Sequence, residues 1–218
     1  MRETERMEKN YLRIVWILCI ITIAYNIVEG IVSTFFGAGD DTIALFGFGL
    51  DSFVEVISGV GVAHMVWRIR RAGDLAQRDG FERRALRITG AAFYLLAGGL
   101  VCGSALTIYR GGRPETTVVG IVIALISIAT MWALYAFKVR YGRLLGSEAV
   151  LADAGCTKTC LYLSFILLAS SLLYEMFKIG YFDVAGGLGI AWYSIREGRE
   201  AFQKSRNDTR TCGCADCH

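Results

Sequence analysis

The sequence contains a single proline and two histidines in 218 residues. With so little proline, few points in the chain are barred from a helix interior. Collagen-like and proline-rich disordered chains are excluded. Charge is sparse as well, at 20% of residues against 54% hydrophobic, and the mean hydropathy is +0.45. Neither sign dominates. Lys+Arg number 23 and Asp+Glu 20, a net charge of +3, too balanced for a dedicated nucleic-acid binder. Seven cysteines in a chain this long and apolar do not make a small disulfide-stapled secreted domain. There is no low-complexity tract, no obvious repeat and no linker long enough to separate a pair of soluble domains. What is present is a series of long apolar blocks that do not alternate with polar residues. A soluble globular domain is therefore disfavoured, and an integral membrane protein is expected.

A span needs roughly 20 mostly apolar residues to cross the hydrocarbon. Six blocks qualify: Ile14–Phe36, Thr42–Trp67, Ile88–Tyr109, Thr116–Phe137, Ala149–Phe177 and the shorter Ile179–Ile195. They are too long for the strands of a barrel. The expected fold is thus all-α, a polytopic membrane protein of six transmembrane helices. It divides into an N-terminal arm over 1–13, a six-helix domain over 14–195 and a Cys-rich tail over 196–218. The first block is too long and too polar, with Asn26 and Glu29, to be a cleaved signal peptide.

Orientation follows from the basic residues. The arm, the Arg-rich loop 68–87, the loop with Lys138, Arg140 and Arg143, and the tail together carry nineteen Lys and Arg. The alternate side carries three: Arg110, Arg113 and Lys178. Both termini are expected in the cytoplasm. The loop 68–87 is expected to anchor topology on the anionic leaflet.

Spans three and four hold no charge. Span two holds Asp51 and Glu55, each costing about 2.5–3.5 kcal/mol at mid-helix on an insertion scale. Four residues apart, they share one helix face. Like charges so placed repel unless they share a cation or one is protonated. Span five carries Cys156 and Cys160 at the same spacing. Asp51 lies about 14 Å from the outer end of its span, and the cysteines about 10–17 Å from the inner end of theirs, at 1.5 Å per residue. Both pairs fall near mid-membrane. Two oxygens and two sulfurs suit a tetrahedral Zn²⁺ or Cd²⁺ site better than Mg²⁺ or Ca²⁺. The competing account of the acids is a helix–helix hydrogen-bond network or a pairing with Lys158; that of the cysteines is plain core packing. A disulfide between two cysteines one helical turn apart is not expected.

Other polar residues have humbler expected roles. Lys158, about 200° round the helix from Cys156, points away from the metal face. Glu29 and Glu175 sit near outer ends and reach the headgroups. Asp183 opens a glycine-rich helix, His64 packs near the cytoplasmic end of span two, and Cys19 and Cys102 belong to the core. Gly99 and Gly103 read as a close helix contact, a place where a homodimer would form. The tail brings Cys212, Cys214, Cys217 and His218 within seven residues, a composition suited to metal capture in a reducing cytoplasm.

Across Asp51-Ser52-Phe53-Val54-Glu55 and Asp153-Ala154-Gly155-Cys156-Thr157-Lys158-Thr159-Cys160 the chain resembles the cation diffusion facilitators, six-helix divalent-metal/proton antiporters. Ala44–Ser52 and Asp183–Leu188 are similar to the starts of the family's helices two and six. The family places two ligands four apart on helix two and two more on helix five, which implies Asp51, Glu55, Cys156 and Cys160 here. Its usual helix-five pair is His and Asp, so two cysteines make a softer site. Its usual cytoplasmic domain, which dimerises and senses metal, is not seen after helix six, which points to a short bacterial branch. The resemblance implies a multi-pass protein of a bacterial inner membrane, not an enzyme and without a prosthetic group. Its partners would be lipid, protons and a transported divalent metal, Zn²⁺ or Cd²⁺. A membrane metal chaperone or sensor, and a thiol-redox membrane enzyme using Cys156 and Cys160, are the alternatives.

Overall fold

Long apolar blocks without proline become long helices. The computed structural model describes residues 2–39, 43–72, 78–109, 118–177 and 182–206. These form six helices: α1 Arg2–Gly39, α2 Ile43–Ala72, α3 Arg78–Tyr109, α4 Val118–Leu145, α5 Glu148–Phe177 and α6 Phe182–Arg206. Among the described residues there is no strand. The protein is an all-α polytopic membrane protein. Five helices, α1 to α5, contain stretches long and apolar enough to cross a membrane. Charged residues from Arg196 to Arg206 dilute the second half of α6.

Several helices outrun the blocks that forecast them. The α1 helix runs back through the basic arm to Arg2. The α2 helix runs to Ala72 and α3 begins at Arg78, so three quarters of the supposed Arg-rich loop is helical. The α4 helix continues past Phe137 through Lys138, Arg140 and Arg143. A lysine or arginine does not end a helix; it only marks where the apolar block stops.

Three helix pairs have the broadest contacts: α1 with α2, α3 with α6, and α4 with α5. The α2 and α5 helices also pack together and bridge the pairs. Between α1 and α2 the backbones nearly touch at Gly49, where a Cβ would sit 2.7 Å from Thr34 N and 3.0 Å from Gly30 O. Between α4 and α5 the chain reverses at Gly146, with φ +58°. Gly146 N donates to Arg143 O and Ser147 N to Gly142 O, a glycine-terminated helix end. Ser147 then caps α5, and the Glu82 carboxylate of α3 accepts from Ser147 Oγ at 2.9 Å and Ala149 N at 3.2 Å.

Polarity is inverted relative to a soluble bundle. Ile21, Val28, Ile31, Phe35, Trp132 and Trp192 face outward. Inside lie Thr22, Asn26, Glu29, Ser33, Asp51, Ser52, Glu55, Ser58, Ser127, Lys138, Asp153 and Thr157. Apolar side chains meet lipid, and the costly polar groups find partners among the helices.

Candidate metal centre

The inward face of α2 carries Asp51, Glu55 and Ser58, spaced by helical turns. Opposite it, α5 presents Asp153, Cys156, Thr157 and Cys160, also buried. The Cys160 thiol lies against the Asp51 and Glu55 carboxyls. Cys156 lies one turn away, beside the Ser58 hydroxyl. Both cysteines are free thiols, as helix geometry requires.

Several buried polar atoms of this interior lack a hydrogen-bond partner, and two of them belong to expected ligands. Asp51 Oδ2 and Glu55 Oε2 are buried with no hydrogen-bond partner. An unsatisfied buried polar atom costs about 1–3 kcal/mol, more for a charged group. Among the described residues no three His, Cys, Asp or Glu side chains form a ready metal cage. The four expected ligands therefore share one buried layer without being closed on a point.

Asp51 also lines a cavity of about 80 Å³ between α2, α3, α5 and α6. Gly47, Gly99, Gly103, Ser104 and Gly187 make up some of its wall. Gly99 and Gly103 have open space where side chains would stand. Among the described residues, nothing fills the space that side chains at these two positions would take, and the glycines leave room beside Asp51.

Glu55 has a second set of neighbours that sequence reasoning missed. Lys138 of α4 is buried, with Nζ 2.9 Å from Asp153 Oδ2 and 3.6 Å from Glu55 Oε1. It donates to Thr157 Oγ1 at 2.8 Å, and Thr157 in turn donates to Glu55 Oε1. Ser58 Oγ donates to Asp153 Oδ1 at 2.7 Å and lies 3.0 Å from Thr89 Oγ1. Lys138 is thus no loop cation, and the lysine paired with Glu55 is Lys138 and not Lys158. Lys158 points the other way, as its register demands, with Nζ 5.5 Å and 5.7 Å from the ring centres of Tyr162 and Tyr193.

Of the other expectations, some hold and some are corrected. Glu29 does not reach the headgroups. It is buried and accepts from Tyr25 OH and Ser52 Oγ. Cys19 is buried but Cys102 is exposed on α3. His64 is exposed beside Trp67. Asp183 lies in the first turn of α6 and Glu175 in the last of α5. The tail residues Cys212, Cys214, Cys217 and His218 lie outside the described residues.

The chain matches the family model of the cation efflux transmembrane domain over residues 15–208. It belongs to the cation diffusion facilitator family. That match takes in all of α2 to α6 and most of α1. Membership makes it a membrane transporter of metal cations. A search of the curated proteins finds no match to the chain.

Proposed function

We propose that this facilitator exports Zn²⁺ or Cd²⁺ from a bacterial cytoplasm across the plasma membrane in exchange for protons. Its cargo ligands are Asp51, Glu55, Cys156 and Cys160. The observation that carries this reading is the pair of unpartnered carboxylate oxygens, Asp51 Oδ2 and Glu55 Oε2, buried in the layer that holds both thiols. Thiolates favour borderline and soft metals over Mg²⁺ or Ca²⁺.

The chemistry follows from charge. Four ionised ligands have no place in a low-dielectric interior without a compensating ion, so the empty site holds protons. An arriving metal needs deprotonated ligands and expels those protons. The ligands sit on two helices, so a shift of α2 against α5 both closes the cage and exposes it to the other side. Proton and metal then exclude one another, and that exclusion is antiport. The tail cysteines, if they capture metal, would feed the inner mouth.

The test is flux into sealed proteoliposomes with a trapped pH dye, run in parallel with Zn²⁺ and Cd²⁺. Wild-type protein should move metal and release protons together. Asp51→Ala should abolish both. Normal coupled flux in that variant removes Asp51 from the site, and metal binding without any wild-type flux makes the protein a chaperone or sensor.

A further inference from the structure

The cargo mechanism leaves buried Lys138 without a role. A lone ammonium in a dry protein costs several kcal/mol unless it is paired and hydrogen-bonded. Lys138 is both. Its contact with Asp153 is close, at 2.9 Å, and its contact with Glu55 is looser, at 3.6 Å and relayed through Thr157. Asp153 is held on its other side by Ser58. The ammonium is therefore tethered to Asp153 and only leans on Glu55.

We infer that Lys138 is a resident counter-cation that sets the charge of the cargo site, an inference resting on the ligand assignment proposed above. Asp51, Glu55 and Asp153 bring three negative charges to one buried layer, and Lys138 brings one positive. Two negative charges remain. They match the two positive charges of one divalent cation. The ammonium also keeps Glu55 compensated while the site is empty, and it can stay with Asp153 when a metal takes Glu55. Lys138 thus acts through the two carboxylates and need not touch the metal.

The experiment is Cd²⁺ affinity of the purified full-length chain at fixed pH, read from the ultraviolet absorption of the Cd–thiolate bond. Cys102, Cys212, Cys214 and Cys217 are replaced by serine in every arm, so that neither the exposed Cys102 nor the tail competes with the membrane site. Removing the positive charge with Lys138→Met should tighten Cd²⁺ binding about tenfold, and Asp153→Asn should weaken it about tenfold, from the Coulomb effect of one charge at this range. The double variant restores the net charge and should bind within about threefold of the parent. A purely structural role predicts loss in both single variants and no mutual rescue. Single variants that shift affinity in the same direction, or not at all, overturn the inference while the ligand assignment stands. If Lys138→Met does not fold, recovery of affinity from Asp153→Asn to the double variant decides the matter. Asp51→Ala in the same assay checks the assignment itself: unaltered Cd²⁺ binding there removes the site and this inference together.

Discussion

Ser52 Oγ donates a 3.0 Å hydrogen bond to Glu29 Oε2 and so fastens α1 to the turn of α2 that begins with Asp51. Tyr25 OH holds the other carboxyl oxygen at 2.9 Å. The Ser52 bond is buried and the Tyr25 bond partly buried; Ser52 Oγ keeps Phe48 O as a second acceptor, so the two bonds together are worth about 1–3 kcal/mol. Glu29→Ala should lower stability by about that amount. Glu29→Gln keeps one acceptor oxygen and should lower it less. Thermal unfolding in detergent gives the order: parent, then Gln, then Ala. A Gln variant no more stable than Ala would mean that the carboxyl is not held through its hydroxyl partners.

The misplacement of Glu29 and Lys138 has a common cause. Helix count, fold class and the two paired sites depend on block hydropathy and on i, i+4 spacing, and both are visible in the sequence. Burial of a single polar residue depends on which helix face turns inward. That phase was legible too. On α1 the polar residues Thr22, Asn26, Glu29 and Ser33 recur at spacings of four, three and four, and all are buried. On α4 the buried stripe runs Ala124, Ser127, Met131, Leu134, Lys138, with Leu145 further on. Lys138 falls in phase with it, but as the first charge after an apolar block it resembled a flanking anchor. Its partners Asp153 and Thr157 are on another helix, and no sequence pattern states which helices meet.

Cys160 and Cys156 occupy equivalent helix positions but unequal surroundings. Cys160 faces both carboxyls of α2, whereas Cys156 sits one turn off beside Ser58. Cys160→Ser should therefore weaken Cd²⁺ binding more than Cys156→Ser does, by about tenfold, the order expected when a soft ligand at the centre of a site is replaced by a hard one. Zn²⁺ binding should fall less than Cd²⁺ binding in both variants. Competition between the two metals in detergent-solubilised protein measures this. Equal losses at both positions would place the ion midway between the cysteines, away from the carboxylate pair.

Two glycines test the packing beside Asp51. A Cβ at Gly49 would meet the backbone of α1 at Thr34 N, 2.7 Å away, and backbone cannot rotate aside. Gly49→Ala should destabilise by about 1–3 kcal/mol, as overpacking does. At Gly99 nothing lies within 4 Å, and Gly99→Ala should be neutral or slightly stabilising within about 1 kcal/mol, because alanine favours the helix. Unfolding temperatures of the two variants should diverge accordingly. If Gly99→Ala instead lowers stability and shifts the protein to a smaller species on size exclusion, that face of α3 meets a second copy.

The helices that carry Lys138 and Asp153 are joined by the short reversal between α4 and α5, whose cap should help to set their register. Gly146 takes a left-handed conformation that costs other residues about 1–2 kcal/mol, and Glu82 completes the cap by receiving Ser147 Oγ and Ala149 N. Glu82→Ala should remove about 1 kcal/mol of stability, the usual worth of a helix cap, and Gly146→Ala a similar amount. Both changes act on one turn, so their combined effect should depart from the sum. A looser turn also frees α5 to slide along α4, which would lengthen the Lys138–Asp153 contact. The double variant should then lose some of the Cd²⁺ affinity difference between itself and its own Asp153→Asn derivative. A full additive loss of stability with that affinity difference intact would show that the register is set by the helix faces and not by the turn.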